Sequence, residues 1–270
     1  MAILLVAAGV IVLVGAGDGR NDDRLASFGK GSADLLPDLV TERLREVYTE
    51  STRGRRLLRF THGIVNLGKG PLEIHPVRDD CGDKARGEDY GAEQWIFRDS
   101  DDDGRFDREV DTDHDRAVIG CLIFHRLHNH WHIDDFVRYD LFAYGRDGEL
   151  RPRPVRTSGK VSFCVVDSNR RRPDLPGAPA VSFYQVLDAL PGDCEEGTTI
   201  GLSVGYGDEY RADLVDQWID VSGLDDGPYC LATATDVNDI VPELDEADNN
   251  RRRKVHLTRR RAEFGPDRGC

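Results

Sequence analysis

The chain has 270 residues, of which 32% are charged, and a formal net charge of −14. This length suffices for one large domain or two small ones with a substantial core, and the negative charge argues against nucleic acid as a partner. A negative field instead raises the local concentration of cationic ligands such as protonated amines.

The N-terminal segment has the composition of an export signal. Residues 2–16 are all apolar or Gly, about the length of the apolar part of a signal peptide and shorter than the roughly 20 residues of a spanning helix. We predict that residues 1–16 are a signal peptide or, alternatively, a membrane anchor, and that the polar residues 17–35 are a linker. The protein is then secreted or extracytoplasmic, and it contacts a membrane only through this segment.

From residue 36 onwards, short runs of β-forming residues alternate with Gly- and Asp-rich turns. This spacing is typical of an antiparallel β-sandwich, so we predict an all-β domain over residues 36–270 with long loops and few helices. Only residues 39–48 have a pattern that favours a helix, and residues 223–250 are expected to form two strands joined by an acidic loop. The predicted strand runs are residues 56–61, 63–67, 71–74, 136–144, 161–166 and 229–234.

An acidic insert resembles a calcium-binding loop. Its Asp residues alternate along the chain, and Gly104 permits the sharp turn that such a loop needs. A valine stands where the closing acid is expected, so Glu109 or Asp111 would have to take that role. A solvated acidic turn is the alternative interpretation. The candidate calcium ligands are Asp99, Asp101, Asp103 and Glu109.

Four of the eight histidines fall within eight residues, and three of them alternate: His128, His130 and His132. In an extended strand, alternate side chains leave the same face about 6.6–6.8 Å apart. A strand bend or bulge must then draw the outer two together, because metal–nitrogen bonds are about 2.0–2.1 Å long. His125 has the opposite parity, so in a regular strand it would face away, either supporting a ligand or packing in the core. Imidazole suits copper, zinc, iron and nickel alike, so the three histidines predict a metal site without naming the metal.

Six cysteines fit an exported protein with up to three disulfides. Six cysteines allow fifteen pairings, of which we predict Cys81–Cys121, Cys164–Cys194 and Cys230–Cys270. None lies in a Cys-x-x-Cys motif, which argues against a zinc–cysteine or thioredoxin-like site.

Three segments carry a family resemblance. Residues 128–141 read His-Asn-His-Trp-His-Ile-Asp-Asp-Phe-Val-Arg-Tyr-Asp-Leu, and residues 159–164 read Gly-Lys-Val-Ser-Phe-Cys. Residues 201–220 contain Gly-Leu-Ser, Tyr-Arg-Ala-Asp and Gln-Trp-Ile-Asp. In this order they resemble the copper-binding segment, the Lys-x-Ser-Phe-Cys motif and the tyrosine-containing block of the lysyl oxidase family. The animal members differ in having additional cysteines where this chain has Leu127, Tyr206 and Asp216.

The resemblance implies that His128, His130 and His132 bind copper, and that Lys160 and Tyr210 cross-link into the cofactor lysine tyrosylquinone. It implies a copper amine oxidase that uses O₂ to convert primary amines or lysine-containing proteins to aldehydes, with release of ammonia and hydrogen peroxide. The reaction also needs a base. Since a desolvated carboxylate can have its pKa raised towards neutrality, the candidate bases are Asp134, Asp135 and Asp213.

Two alternatives stay open from the residues themselves. A zinc hydrolase would use the three histidines with an open water position and would need neither Lys160 nor Tyr210. A non-catalytic, metal-binding β-sandwich module would keep the fold and form no quinone. Visible absorbance of the copper-loaded protein separates these interpretations, because only the quinone is coloured.

Overall fold

The computed structural model describes residues 33–77, 81, 90–125, 130–159, 162–184, 194, 198–266 and 269–270. These residues contain strands, turns and bends but no helix, so the prediction of an all-β fold is confirmed. In this described part of the chain, no helix is long and apolar enough to cross a membrane.

The strands are antiparallel throughout and are numbered in chain order. They are β1 (Asp34–Leu35), β2 (Leu39–Thr41), β3 (Arg45–Thr52), β4 (Arg55–Asn66), β5 (Leu72–Val77), β6 (Tyr90–Arg98), β7 (His114–His125), β8 (His130–Ile133), β9 (Val137–Ala143), β10 (Arg156–Thr157), β11 (Asn169–Arg170), β12 (Ile200–Leu202), β13 (Tyr206–Tyr210), β14 (Trp218–Asp220), β15 (Gly227–Thr235), β16 (Asn250–Thr258) and β17 (Arg261–Phe264).

Three sheets enclose the core. The first has the order β12-β5-β6-β7-β8, with β1 also paired to β6, and the second has the order β10-β9-β15-β16-β17. The third has the order β11-β13-β4-β14, and β2 and β3 also pair with β4. The strand β16 shows how the sequence produces these layers: Arg253, Val255 and Leu257 are buried while the residues between them are exposed, as expected for a sheet with one face in water.

Most predicted strand runs are confirmed. The runs at 56–61 and 63–67 merge into the single long strand β4, and the predicted pair near the C-terminus forms as β15 and β16 on either side of an acidic loop. The predicted strand at residues 161–166 is not a continuous strand in the described part of the chain. Its described residues form one isolated β-bridge, between Phe163 and Ile133. The last two residues of the predicted linker, Asp34 and Leu35, form β1.

The predicted helix over residues 39–48 is wrong. Its residues form β2 and the first half of β3, and both strands pair with β4. The twelve residues of β4 offer a row of backbone hydrogen-bonding groups, and this pairing outweighs the local helical pattern. A register shift between Arg45 and Tyr48, together with a positive φ at Glu46, allows the chain to follow β4 while Leu44 stays buried.

The three predicted disulfides are confirmed: Cys81–Cys121, Cys164–Cys194 and Cys230–Cys270. The last of these joins β15 to the C-terminal residue. The second ties the segment that follows residue 160 to Cys194, whose carbonyl accepts a hydrogen bond from the Trp131 backbone N–H in β8.

Candidate metal and cofactor site

The histidine-rich segment is a hairpin rather than one continuous strand. His125 ends β7, His130 begins β8, and the two residues face each other in register. Residues 126–129 connect the strands, and His128 is among them and lies outside the described residues. The predicted bend that would bring His128 and His132 together thus falls in residues 126–129 and stays a prediction.

His130 and His132 bring their ring nitrogens together. Their Nε2 atoms are 2.9 Å apart. Two nitrogens bound to one metal at about 2.0–2.1 Å and at an angle between about 90° and 110° lie about 2.9–3.4 Å apart. The two Nε2 atoms thus fit a shared metal ion without rearrangement.

A second contact orients His132. Its Nδ1 lies 3.3 Å from the hydroxyl oxygen of Ser162, and its side chain is 1% exposed. Histidines that bind a metal commonly use the other ring nitrogen to bond a neighbouring polar group, which sets the tautomer and the ring direction. Ser162 serves this purpose here and leaves Nε2 of His132 directed at His130.

The expectation that His125 faces away from the site is wrong. Its ring stacks on His132 with centroids 4.8 Å apart and an interplanar angle of 17°. Alternation along a single strand predicts that His125 and His132 lie on opposite faces. The chain reverses between His125 and His130, so this alternation does not continue from one strand to the other. His125 packs against a candidate metal ligand.

The segment after residue 160 lies against β8. Phe163 and Ile133 exchange two backbone hydrogen bonds, of 2.8 and 3.1 Å. Lys160 lies outside the described residues. Its motif is nevertheless held, from Ser162 to Cys164, beside the strand that carries His130 and His132.

Tyr210 ends β13 and points into the same region. Its hydroxyl lies 2.6 Å from the carbonyl oxygen of Cys164 and 2.7 Å from Oδ2 of Asp208. Its ring makes an edge contact with Phe163, with centroids 4.5 Å apart. The segment from Ser162 to Cys164 and the block that contains Tyr210 therefore meet at one buried tyrosine, which is 6% exposed, and Phe163 links them to β8.

Asp208 is a functional candidate that the sequence reasoning missed. It is 4% exposed, and burial raises its pKa to about 6, although hydrogen bonds from Ser168 and Tyr210 oppose that rise. Burial, together with the neighbouring Asp208, also raises the pKa of the Tyr210 phenol well above its usual value. Asp208 lies inside the family-like block at residues 201–220, two residues before Tyr210, and this spacing along a strand was the available signal.

His62 is a second missed residue. It is the partner of Tyr210 in the β4–β13 register, and the two rings are nearly parallel with centroids 6.1 Å apart. Its Nδ1 lies 3.1 Å from the Tyr139 hydroxyl, and its Nε2 is buried with no hydrogen-bond partner among the described residues. Burial lowers the pKa of His62 to about 3, so the ring is neutral. Nothing in the local sequence around His62 indicates this placement, which depends on strand register.

Replacing His62 with Gln should change how stability depends on pH. The folded-state pKa is about 3, below the unfolded value of about 6.5, so acidification protonates the unfolded chain first. The contribution of neutral His62 to the free energy of unfolding is complete above about pH 6.5. It is lost as pH falls towards 3, by up to about 1.4 kcal/mol per pH unit. Urea unfolding of both proteins at several pH values should show the wild type losing stability more steeply. Parallel curves would contradict the prediction.

The three candidate bases lie in different environments. Asp134 and Asp135 form the turn after β8, and Asp135 has a positive φ of 51°. The backbone N–H of Asp134 donates to Cys121. Asp213 follows β13, where its side chain is 58% exposed and forms an ion pair with Arg211. Of the carboxylates near the phenol, Asp208 rather than Asp213 contacts the Tyr210 hydroxyl.

The candidate calcium loop brings three of its four predicted ligands together. Carboxylate oxygens of Asp99, Asp101 and Asp103 lie within 4.8 Å of one another, and Glu109 is exposed and outside this group. Asp111 is 1% exposed, and its carboxylate accepts two backbone hydrogen bonds within the loop, each of 2.8 Å. Asp111 therefore holds the loop closed by accepting hydrogen bonds from the backbone N–H groups of other loop residues.

A further oxygen-rich cluster lies in the acidic loop between β15 and β16. Carboxylate oxygens of Asp236, Glu243 and Glu246 are within 4.8 Å of one another. Burial raises their pKa values to about 6, 9 and 7 respectively. Asn249 donates from Nδ2 to both glutamates. Such clustered oxygens are the ligands that hard cations take.

Together, the fold and the site define an all-β protein in which a pair of imidazoles on β8 and a buried tyrosine on β13 both lie against the segment from Ser162 to Cys164. Comparison with known families agrees with this description. Residues 117–265 match the family described as Lysyl oxidase, and they include β8, the Cys164 segment and β13. The chain belongs to the lysyl oxidase family.

Similar proteins are animal enzymes of greater length. Lysyl oxidase homolog 2 of Rattus norvegicus is 26% identical over 205 residues, which are 75% of this chain and 19% of that protein. Lysyl oxidase homolog 1 of Homo sapiens is 31% identical over 138 residues, 51% of this chain and 21% of that protein. Protein-lysine 6-oxidase of Gallus gallus is 29% identical over 136 residues, which are 50% of this chain and 28% of that protein. The matched regions thus span less than a third of each relative.

Proposed function

We propose that this protein is a copper-dependent amine oxidase that oxidises primary amines or lysine side chains of proteins, with Lys160 and Tyr210 forming lysine tyrosylquinone. The observation that carries the proposal is the hydrogen bond from the Tyr210 hydroxyl to the Cys164 carbonyl. Cys164 is four residues from Lys160, and the adjacent Phe163 is paired to the histidine strand. Family membership supports the same activity.

The copper ligands in this proposal are His128, His130 and His132. The 2.9 Å separation of two Nε2 atoms and the Ser162 contact to His132 support a metal at this point. These imidazoles would hold copper, which would supply the activation of O₂ that the oxidation needs. The chain's own contribution is to hold the two rings at a fixed separation, with their Nε2 atoms directed at one another.

The protein also fixes the phenol. Cys164 and Asp208 hold its oxygen, while His62 and Phe163 contact its ring from two directions. Because this environment is buried, water is excluded and the polar contacts act in a low-dielectric medium. A ring held in this way presents the same edge to Lys160 each time, as a single cross-link requires.

The substrate and location follow the same proposal. A net charge of −14 favours the approach of protonated amines. Three disulfides are typical of an oxidising compartment, which supports export directed by residues 1–16 and a catalytic domain over residues 36–270. For an exported oxidase, O₂ and extracellular lysine-containing proteins are the accessible partners.

The test is to load the purified protein with copper in air and record its visible spectrum before and after addition of phenylhydrazine. We expect a quinone absorbance and a shifted hydrazone band, together with hydrogen peroxide release when a primary amine is added. A protein that binds the metal tightly, remains colourless and hydrolyses an ester or amide would instead fit the zinc-hydrolase interpretation.

We also infer that the loop at residues 99–111 binds calcium through Asp99, Asp101 and Asp103. A ligand at about 100 times its Kd stabilises the folded state by about 2.7 kcal/mol, so calcium should raise the thermal midpoint of the metal-free protein. Asp101→Asn should lose part of this shift, because it removes one of three converging carboxylates. An unchanged shift in the variant would place the calcium elsewhere.

A further inference from the structure

The Tyr210 hydroxyl has two close oxygen neighbours of different chemistry. The Cys164 carbonyl oxygen is 2.6 Å away and the Asp208 carboxylate oxygen Oδ2 is 2.7 Å away. A peptide carbonyl accepts a hydrogen bond but is not a base at ordinary pH, whereas a carboxylate can take a proton. Since Tyr210 and Asp208 are 6% and 4% exposed, bulk water does not readily serve as the acceptor.

We propose that Asp208 is the proton acceptor for the Tyr210 phenol. In this step the phenolic O–H bond breaks, an O–H bond forms at Oδ2 of Asp208, and the negative charge moves from the carboxylate to the phenolate. No electrons are transferred in the step. The role rests on the proposed function, which requires oxidation of the Tyr210 ring, because a phenolate is more readily oxidised than a neutral phenol.

The surroundings of Asp208 prepare it for this role. Its Oδ1 accepts hydrogen bonds from the Ser168 hydroxyl and from the Glu209 backbone N–H, while the Val166 N–H lies 3.3 Å from Oδ2. These donors fix the carboxyl plane and stabilise the anion, offsetting part of the cost of burial. The resulting pKa of about 6 leaves Asp208 ionised at neutral pH and close to the value at which a general base is most effective.

Other titratable groups against Tyr210 do not compete for this proton. Burial lowers the pKa of His62 to about 3, so its ring stays neutral at neutral pH, and its Nδ1 lies by the hydroxyl of Tyr139. Burial raises the pKa of Tyr139 above its usual range. Among the described groups near the phenol, only Asp208 both touches the hydroxyl and changes charge near neutrality.

The test measures the rate at which the cross-linked Lys160–Tyr210 peptide pair appears after copper and air are added to the full chain, by quenching and mass spectrometry. Asp208→Asn should slow this rate at neutral pH by at least about 100-fold, the usual contribution of a general base. Its rate should keep rising with pH, whereas the wild-type rate should level off above about pH 6. The matched control is Asp167→Asn, another buried carboxyl with serine and backbone donors, which should stay within about threefold of wild type.

A second measurement needs neither copper nor turnover. In metal-free protein with ring-labelled tyrosine, Asp208→Asn should lower the Tyr210 pKa in an NMR titration, because the neighbouring negative charge is removed. An unchanged Tyr210 titration, or wild-type cross-linking kinetics in Asp208→Asn, would overturn the proposal. If Asp208→Asn does not fold, the pH dependence of wild-type cross-linking is the test. A wild-type cross-linking rate that does not change between about pH 4.5 and 8 would overturn the proposal. Absence of any cross-link in wild type would refute the proposed oxidase, while the NMR titration would still test Asp208.

Discussion

Tyr210→Phe is expected to give a folded, copper-binding protein that lacks the quinone absorbance and has no measurable amine oxidase turnover. The substitution removes the oxygen that contacts Cys164 and Asp208, and with it the atom on which cofactor formation depends. The ring still packs against Phe163, so the fold should survive. The buried Asp208 loses one donor, which should cost about 1–3 kcal/mol of unfolding free energy.

The matched control is Tyr206→Phe on the same strand. Its hydroxyl lies 3.4 Å from the Pro179 carbonyl rather than in the site, so colour and turnover should be retained.

Lys160→Ala should differ from both Tyr210→Phe and Tyr206→Phe, because it leaves the phenol but removes the amine. We expect an oxidised ring without the mature cross-link. Visible spectra and mass spectrometry of phenylhydrazine-treated digests distinguish the three variants. Active, copper-loaded wild type whose Lys160 and Tyr210 peptides are separate and unmodified would rule out the quinone.

His130→Ala and His132→Ala are each expected to remove most bound copper and to prevent cofactor formation. Their Nε2 atoms converge to 2.9 Å, and loss of either leaves too few imidazoles for a stable site. The same result is predicted for His128→Ala. The loss in copper affinity should exceed the roughly 10–100-fold that removal of a supporting, non-ligating partner costs. Metal analysis after dialysis against a weak chelator measures it.

His125→Ala and His114→Ala are the controls for this prediction. His125 stacks on His132, so its removal should loosen the ligand and lower copper affinity while keeping appreciable copper. His114 stacks on Trp95 elsewhere in the same sheet and should have no effect on copper. If His125→Ala loses as much copper as His132→Ala, His125 is itself a ligand and the three-histidine assignment needs revision.

Local patterns were sufficient for much of this protein. Short runs of β-forming residues between Gly- and Asp-rich turns predicted β9, β15 and the run that became β4, because these residue types favour strand and turn conformations. The family-like motifs around His130, Cys164 and Tyr210 indicated one site, and the predicted cysteine pairing is confirmed. Each of these inferences depends on chemistry carried by neighbouring residues.

Tertiary structure decided the rest. The pattern over residues 39–48 favoured a helix, but pairing with β4 made this segment β2 and the start of β3, with a register shift between Arg45 and Tyr48. Alternation of side chains along one strand predicted that His125 faces away from the site. In the structure the chain reverses between β7 and β8, and the His125 ring stacks on His132. His62 reaches Tyr210 through cross-strand register, and Asp208, only two residues from Tyr210, owes its raised pKa to burial. Register depends on which strands pair, and burial on what covers them, so neither property can be read from residues adjacent in sequence.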